Sequence, residues 1–192
     1  EFVQVEVDAK NSDGHIEAAV DMGKDLKIWP EHTPNVYRMN VLLQSSDGVD
    51  RKTYDFGFRE FKANGTRFEV NGQPVFLRGT LECCIFPLTG YPAMQNDYWA
   101  KIYRTCKEYG LNHVRFHSWC PPESAFHVAD SMGIYLQVEC GGWAEVGSGK
   151  PQDQWLKEES DRILEEYGNH PSFCMMVYGN EPGGADQAHY LS

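Results

Sequence analysis

Hydrophobic and polar positions fall into two regimes along the chain. In the first, reaching to about residue 60, they alternate. Phe2 to Asp8 alternates, as does 16 to 22 less cleanly, and Asn11-Ser12-Asp13-Gly14 between them is turn-forming, which predicts a hairpin. Leu26 to Pro30 then leads into a strand from Val36 to Leu43, a turn at Ser46-Asp47-Gly48, and a strand from Lys52 to Arg59 with Tyr54, Phe56 and Phe58 on one face. Helical spacing is lacking throughout. Antiparallel strands of this kind need a second sheet to bury their apolar face, so residues 1–66 are expected to be part of a β-sandwich.

The second regime covers 67–192. Arg67 to Val70, Asn71-Gly72 and Pro74 to Leu77 read as a hairpin with a strong turn dipeptide. Strands and helices then alternate. A strand around Leu77–Thr80 precedes a helix over 97–109, with Trp99, Ile102, Tyr103, Cys106 and Tyr109 at helical spacing, Asn96 or Asp97 as N-cap and Gly110 as stop. A strand from Leu111 to Phe116, a helix opened by Pro121-Pro122 and ended by Gly133, and a strand from Ile134 to Val138 follow. Asp153 is expected to cap a helix through Tyr167, and the apolar run Phe173 to Met176 reads as a strand buried on both faces, leaving through Val177-Tyr178-Gly179-Asn180-Glu181-Pro182. Short links between strand and helix imply parallel pairing with right-handed crossovers. Four such units fit half of an eightfold barrel or a small open α/β sheet, since a closed barrel needs about 250 residues.

In both architectures chemistry sits past the carboxyl ends of the strands. Glu82 follows the first strand, Arg115 and His117 the second, Glu139 the third, and Asn180 with Glu181 the fourth. Each has a plain structural explanation alone: Glu139 can pair with Arg115, and His117 can be a satisfied core histidine. Together with Trp119 and Trp143 they suggest a ligand-binding rim. Clustered carboxylates raise one another's pKa unless a cation such as Arg115 offsets them, which is how one Glu stays protonated as an acid beside an ionised one. Flat aromatic faces beside polar groups suit a sugar ring, and with paired carboxylates they point to glycoside hydrolysis.

Composition narrows the partners. A formal net charge of -11 with no basic cluster argues against nucleic acid and anionic membranes, and no apolar run reaches membrane-spanning length. The chain opens on Glu1-Phe2-Val3, which suggests a processed or excised piece. Six cysteines without CxxC spacing read as free buried thiols, and neither metal nor cofactor is assigned.

Four blocks resemble glycoside hydrolase family 2, the β-galactosidases, β-glucuronidases and β-mannosidases: Phe56-Gly57-Phe58-Arg59, Val70 through Gly79, Asn112-His113-Val114-Arg115, and Gly168-Asn169-His170-Pro171-Ser172 with Gly179-Asn180-Glu181. The resemblance implies an α+β multidomain chain: an immunoglobulin-like β-sandwich portion over 1–66, then the first four β/α units of a (β/α)8 TIM barrel over 67–192. It implies part of a retaining exo-β-glycosidase acting on a carbohydrate, with Glu181 as general acid/base, Asn180 on the substrate's 2-hydroxyl and Arg115 orienting a nucleophile beyond the last residue here. The chain alone is therefore expected to be inactive, and its open sheet edges to self-associate. Leu81-Glu82-Cys83, His117-Ser118-Trp119-Cys120-Pro121 and Glu139-Cys140-Gly141-Gly142-Trp143 depart from the family pattern, so the sugar is left open. A cellulase-type relative and a non-catalytic carbohydrate-binding or assembly protein are the alternatives.

Overall fold

The computed structural model describes residues 3–5, 16–142 and 145–190, without the side chains of 189 and 190. The hairpin expected over 2–8 and 16–22 lies largely outside them, and 16–22 forms no strand. Strands β1 (Tyr37–Ser45) and β2 (Gly48–Phe56) make an antiparallel hairpin, and β3 (Phe61–Asn64), β4 (Arg67–Val70) and β5 (Gln73–Val75) a three-stranded antiparallel sheet. Asn71 and Gly72, both at positive φ, supply the β4–β5 turn the dipeptide predicts. The β1–β2 hairpin and the β3–β5 sheet are separate sheets among the described residues. Met39, Val41 and Leu43 on one face of β1 and Leu42 on the other are all exposed. Alternation specifies a strand, but the sheet that would cover it is a long-range partner that alternation does not encode.

The second half follows its pattern closely. Parallel strands β6 (Gly79–Glu82), β7 (His113–Phe116), β8 (Tyr135–Glu139) and β9 (Phe173–Val177) pair in chain order, linked by helices α1 (Asn96–Glu108), α2 (Glu123–Met132) and α3 (Pro151–Tyr167); α4 (Gln187–Tyr190) comes last. Neither expected side-chain cap is present. Gln95 is the N-cap of α1 without a side-chain bond, and α3 starts before Asp153, whose carboxylate accepts the N–H groups of Gly147 and Gly149 at 3.1 and 2.7 Å. Tyr109 has left the helical stripe and is exposed, whereas Gly133 in the left-handed conformation closes α2 as expected. No helix of the described residues is long and apolar enough to cross a membrane.

The core lies between the parallel sheet and its helices. Val114, Phe116, Leu136 and Val138 are fully buried against Trp99, Tyr103, Phe126 and Ile163. Each such burial stabilises by about 1.5–3 kcal/mol. The helices cover only one face of the sheet among the described residues, so β9, expected to be buried on both, is half-buried from Cys174 to Val177. A second cluster joins the sheet's lower end to the β3–β5 sheet: Trp29, Val70 and Tyr135, flanked by Phe61, Val75, Leu77 and Cys174. The thiols divide as well. Cys106 and Cys140 are buried and Cys120 and Cys174 half-buried, but Cys83 and Cys84 are exposed, against expectation, because β6 ends just before them.

His113, also at the lower end, is buried, and desolvation lowers its pKa to about 4. The unfolded chain titrates near the ordinary value of about 6.5, so between those two pH values it binds a proton that the folded protein refuses. Stability is therefore full above that window and is lost as pH falls through it, by on the order of 1–3 kcal/mol. Urea midpoints between pH 7 and 5 should fall less for His113→Gln than for wild type; parallel falls would clear His113 as the cause.

Candidate active site

Pleating sorts the strand-end residues into two rows. Register sets Leu81, Arg115, Gln137 and Met175 level with one another, and Glu82, Phe116, Val138 and Met176 level in the next row. Phe116 and Val138 are buried under the helices, so Arg115, and with it Glu139 and His117 in the same alternation, faces the uncovered side.

Glu82 shares the helix-side row. Its carboxylate accepts the N–H of Cys84 at 3.0 Å, and burial raises its pKa above the ordinary value despite that bond. Trp119 packs among Phe86, Trp99 and Phe116, with centroids 5.9, 6.4 and 5.5 Å away, and its indole N–H donates to the Glu82 carbonyl at 3.4 Å. The sequence places Glu82 and Trp119 at the rim; the structure sets them behind it, at the corner of β6 and α1. Trp143 lies outside the described residues.

The other candidates come together. Arg115 Nε donates to Glu139 Oε1 at 2.5 Å, and Arg115 Nη2 donates to Asn180 Oδ1 at 2.8 Å. Glu139 is 0% exposed, with its Oε2 3.5 Å from His117 Nδ1, which in turn lies 3.1 Å from Ser118 Oγ. Asn180 Nδ2 donates to Glu181 Oε2 at 3.3 Å. Glu181 is exposed and holds φ at 46°, a left-handed conformation that costs a residue with a side chain about 1–3 kcal/mol and concentrates at functional sites.

Two exit segments hold this residue in place. Cys140 N–H donates to Val177 O, Asn180 N–H to Gly142 O and Val146 N–H to Gly183 O, at 2.8, 3.0 and 2.9 Å, and Glu145 bridges Gly183 in parallel. The backbones run so close at Gly142 and Gly179 that a Cβ on Gly179 would collide with the Gly142 carbonyl, and one on Gly142 would stand 2.7 Å from the Tyr178 carbonyl. Sequence reading missed this glycine pair; glycines directly after two neighbouring strands were the available signal. It also passed over Asp130, and noted His170 only as part of the fourth block. His170 Nδ1 bonds Asp130 Oδ2 at 2.6 Å and Ser172 N–H donates to Asp130 Oδ1 at 3.0 Å, all buried at the start of β9.

No protein-family model matches the chain. The β-galactosidase of Thermoanaerobacterium thermosulfurigenes is 29% identical over 174 residues, covering 87% of this chain and 23% of that protein. The β-galactosidase of Photobacterium profundum is 26% identical over 164 residues, covering 81% of this chain and 16% of that one. The crystal structure of Parabacteroides merdae β-glucuronidase shares the fold, with a TM-score of 0.71 at 23% identity over 82% of this chain and 21% of that one. The chain is related to glycoside hydrolase family 2. It spans less than a quarter of the length of these relatives. The four family 2 blocks meet in pairs in the folded chain. Arg59 from the first donates to the carbonyls of Pro171, at 2.8 Å, and Phe173 beside the fourth. Asn112 from the third accepts the Arg78 N–H at 2.8 Å and donates to Phe76 O at 3.2 Å in the second.

Proposed function

We propose that this chain is the part of a retaining exo-β-glycosidase that carries the general acid/base, Glu181. The observation that carries the reading is the group at the exit of β9: an exposed carboxylate in a strained conformation, next to an asparagine whose amide is fixed by Arg115. In the first step Glu181 gives its proton to the departing glycosidic oxygen; in the second it takes a proton from water as that water attacks the glycosyl-enzyme. Asn180 offers an N–H to the 2-hydroxyl, a contact that strengthens as the ring approaches an oxocarbenium ion. The nucleophile is a carboxylate outside this sequence, and a retaining site would hold it roughly 5–5.5 Å from Glu181. In this reading residues 67–192 are half of a TIM barrel and 1–66 part of an immunoglobulin-like sandwich. The boundary then falls in the β3–β4 turn, with Trp29 and Val70 joining the two.

The test is hydrolysis of aryl β-galactosides, β-glucuronides, β-glucosides and β-mannosides by the full-length protein, with the newly released sugar followed by proton NMR. Turnover of one β-sugar with the β-anomer appearing first is expected. An α-anomer appearing first would replace the retaining mechanism with an inverting one, and absence of turnover on every sugar would favour the non-catalytic carbohydrate-binding reading.

A further inference from the structure

We propose that Glu139 is a positioning residue for Glu181, acting through Arg115 and Asn180; this rests on the assignment of Glu181 as acid/base. Glu139 is fully buried, and a buried carboxylate is costly unless its oxygens are satisfied. Oε1 accepts Arg115 Nε at 2.5 Å, while Oε2 has no hydrogen-bond partner among the described residues and lies 3.5 Å from His117 Nδ1, so Arg115 carries the compensation of this carboxylate. From that position, with none of its surface exposed, Glu139 acts on its neighbours. It holds the guanidinium.

A guanidinium has donors only, so it can engage the amide of Asn180 only through Oδ1, which it does at 2.8 Å. The Asn180 NH2 is thereby turned toward Glu181, whose Oε2 it meets at 3.3 Å. Glu139 thus decides which end of the amide faces the reacting centre. It also balances charge. The groups around Arg115 are Glu139 from β8, His117 from the exit of β7, and Asn180 with Glu181 from the exit of β9. Glu82, at the end of β6, belongs to the other row, with its carboxylate on the Cys84 N–H. Without Glu139 the guanidinium loses the carboxylate it pairs with among the described residues, so its positive field acts more strongly on the site and favours the ionised form of Glu181.

Two effects follow for Glu139→Gln in the full-length enzyme. The rate kcat on aryl glycosides that need acid assistance falls roughly 10- to 100-fold with KM little changed, the usual cost of a reacting group displaced by about an ångström. The alkaline limb of the kcat profile, which requires protonated Glu181, moves down by about one pH unit, because an uncompensated cation favours the carboxylate. A purely structural role would lower activity without moving that limb. In an Asn180→Ala background the same substitution should add little to the loss of kcat at the plateau, since the amide relay is already cut, while the limb shift, which does not pass through Asn180, persists. An unmoved limb, or a full additional loss in the Asn180→Ala background, would overturn the proposal. Should Glu139→Gln fail to fold, Glu139→Asp keeps the charge and shortens the reach: a fall in kcat at unchanged KM supports the relay, and wild-type kcat refutes it. Glu181→Ala assayed in parallel separates the two claims. An unimpaired Glu181→Ala enzyme removes the acid/base reading and the relay with it, while an impaired one beside a wild-type Glu139→Gln enzyme removes the relay alone.

Discussion

Glu181→Ala in the full-length protein is expected to slow hydrolysis of phenyl β-glycosides by roughly 10²- to 10⁴-fold, the contribution of a positioned general acid. Leaving-group dependence makes the result specific. Phenoxide is a poor leaving group and needs the proton, whereas a dinitrophenoxide departs without it, so dinitrophenyl glycosides should lose far less in the first step. Their second step still needs a base, so the glycosyl-enzyme should accumulate. Azide attacks that intermediate without surrendering a proton, and added azide should restore turnover with a β-glycosyl azide as product. A uniform loss across leaving groups, with no azide rescue, would mean that Glu181 supports the fold of the exit rather than the proton transfer.

Asp130→Ala is expected to destabilise the protein by about 3–5 kcal/mol, the cost of breaking a buried, hydrogen-bonded polar pair by removing one partner. Both carboxylate oxygens are used, one by His170 Nδ1 and one by the Ser172 N–H, and the His170 ring stacks on Phe126 at 5.2 Å. The substitution strands a buried N–H and a largely buried imidazole. Asp130→Asn keeps one acceptor and should lose less. Urea midpoints for the two variants check this, and a midpoint for Asp130→Ala equal to wild type would show that the site relaxes or admits water. The link to function is positional: Ser172 immediately precedes β9, so loosening it lets the whole strand slide, and Glu181 rides on its far end.

The parallel half of the fold was legible because strands such as β8 and β9 are short, largely apolar segments that follow Gly133 and Pro171, and each helix carries its buried stripe within one segment. Such signals are local. The β1–β2 hairpin shows the limit: its alternation marks strands but says nothing of what covers them. For the site, spacing delivered Arg115, His117, Glu139, Asn180 and Glu181 to neighbouring strand ends. Glu82 takes the other row because the face a strand residue takes depends on cross-strand register, and it is level with Phe116, while Trp119, beyond the end of β7, packs on Phe86, Trp99 and Phe116. Asp153 is a similar case, a competent cap residue two positions inside its helix, claimed by the N–H groups of the preceding loop.

The close approach of Gly142 and Gly179 makes the exits of β8 and β9 a single heritable part. In this class of fold the segments after the strands are the usual place for one enzyme to diverge from another. Here, altering the 140–146 segment by more than a glycine-compatible change would shift the backbone of 178–184 and, with it, Glu181. Divergence, natural or engineered, is therefore freer after β6 and β7, and a loop exchange between relatives would have to carry both segments across together.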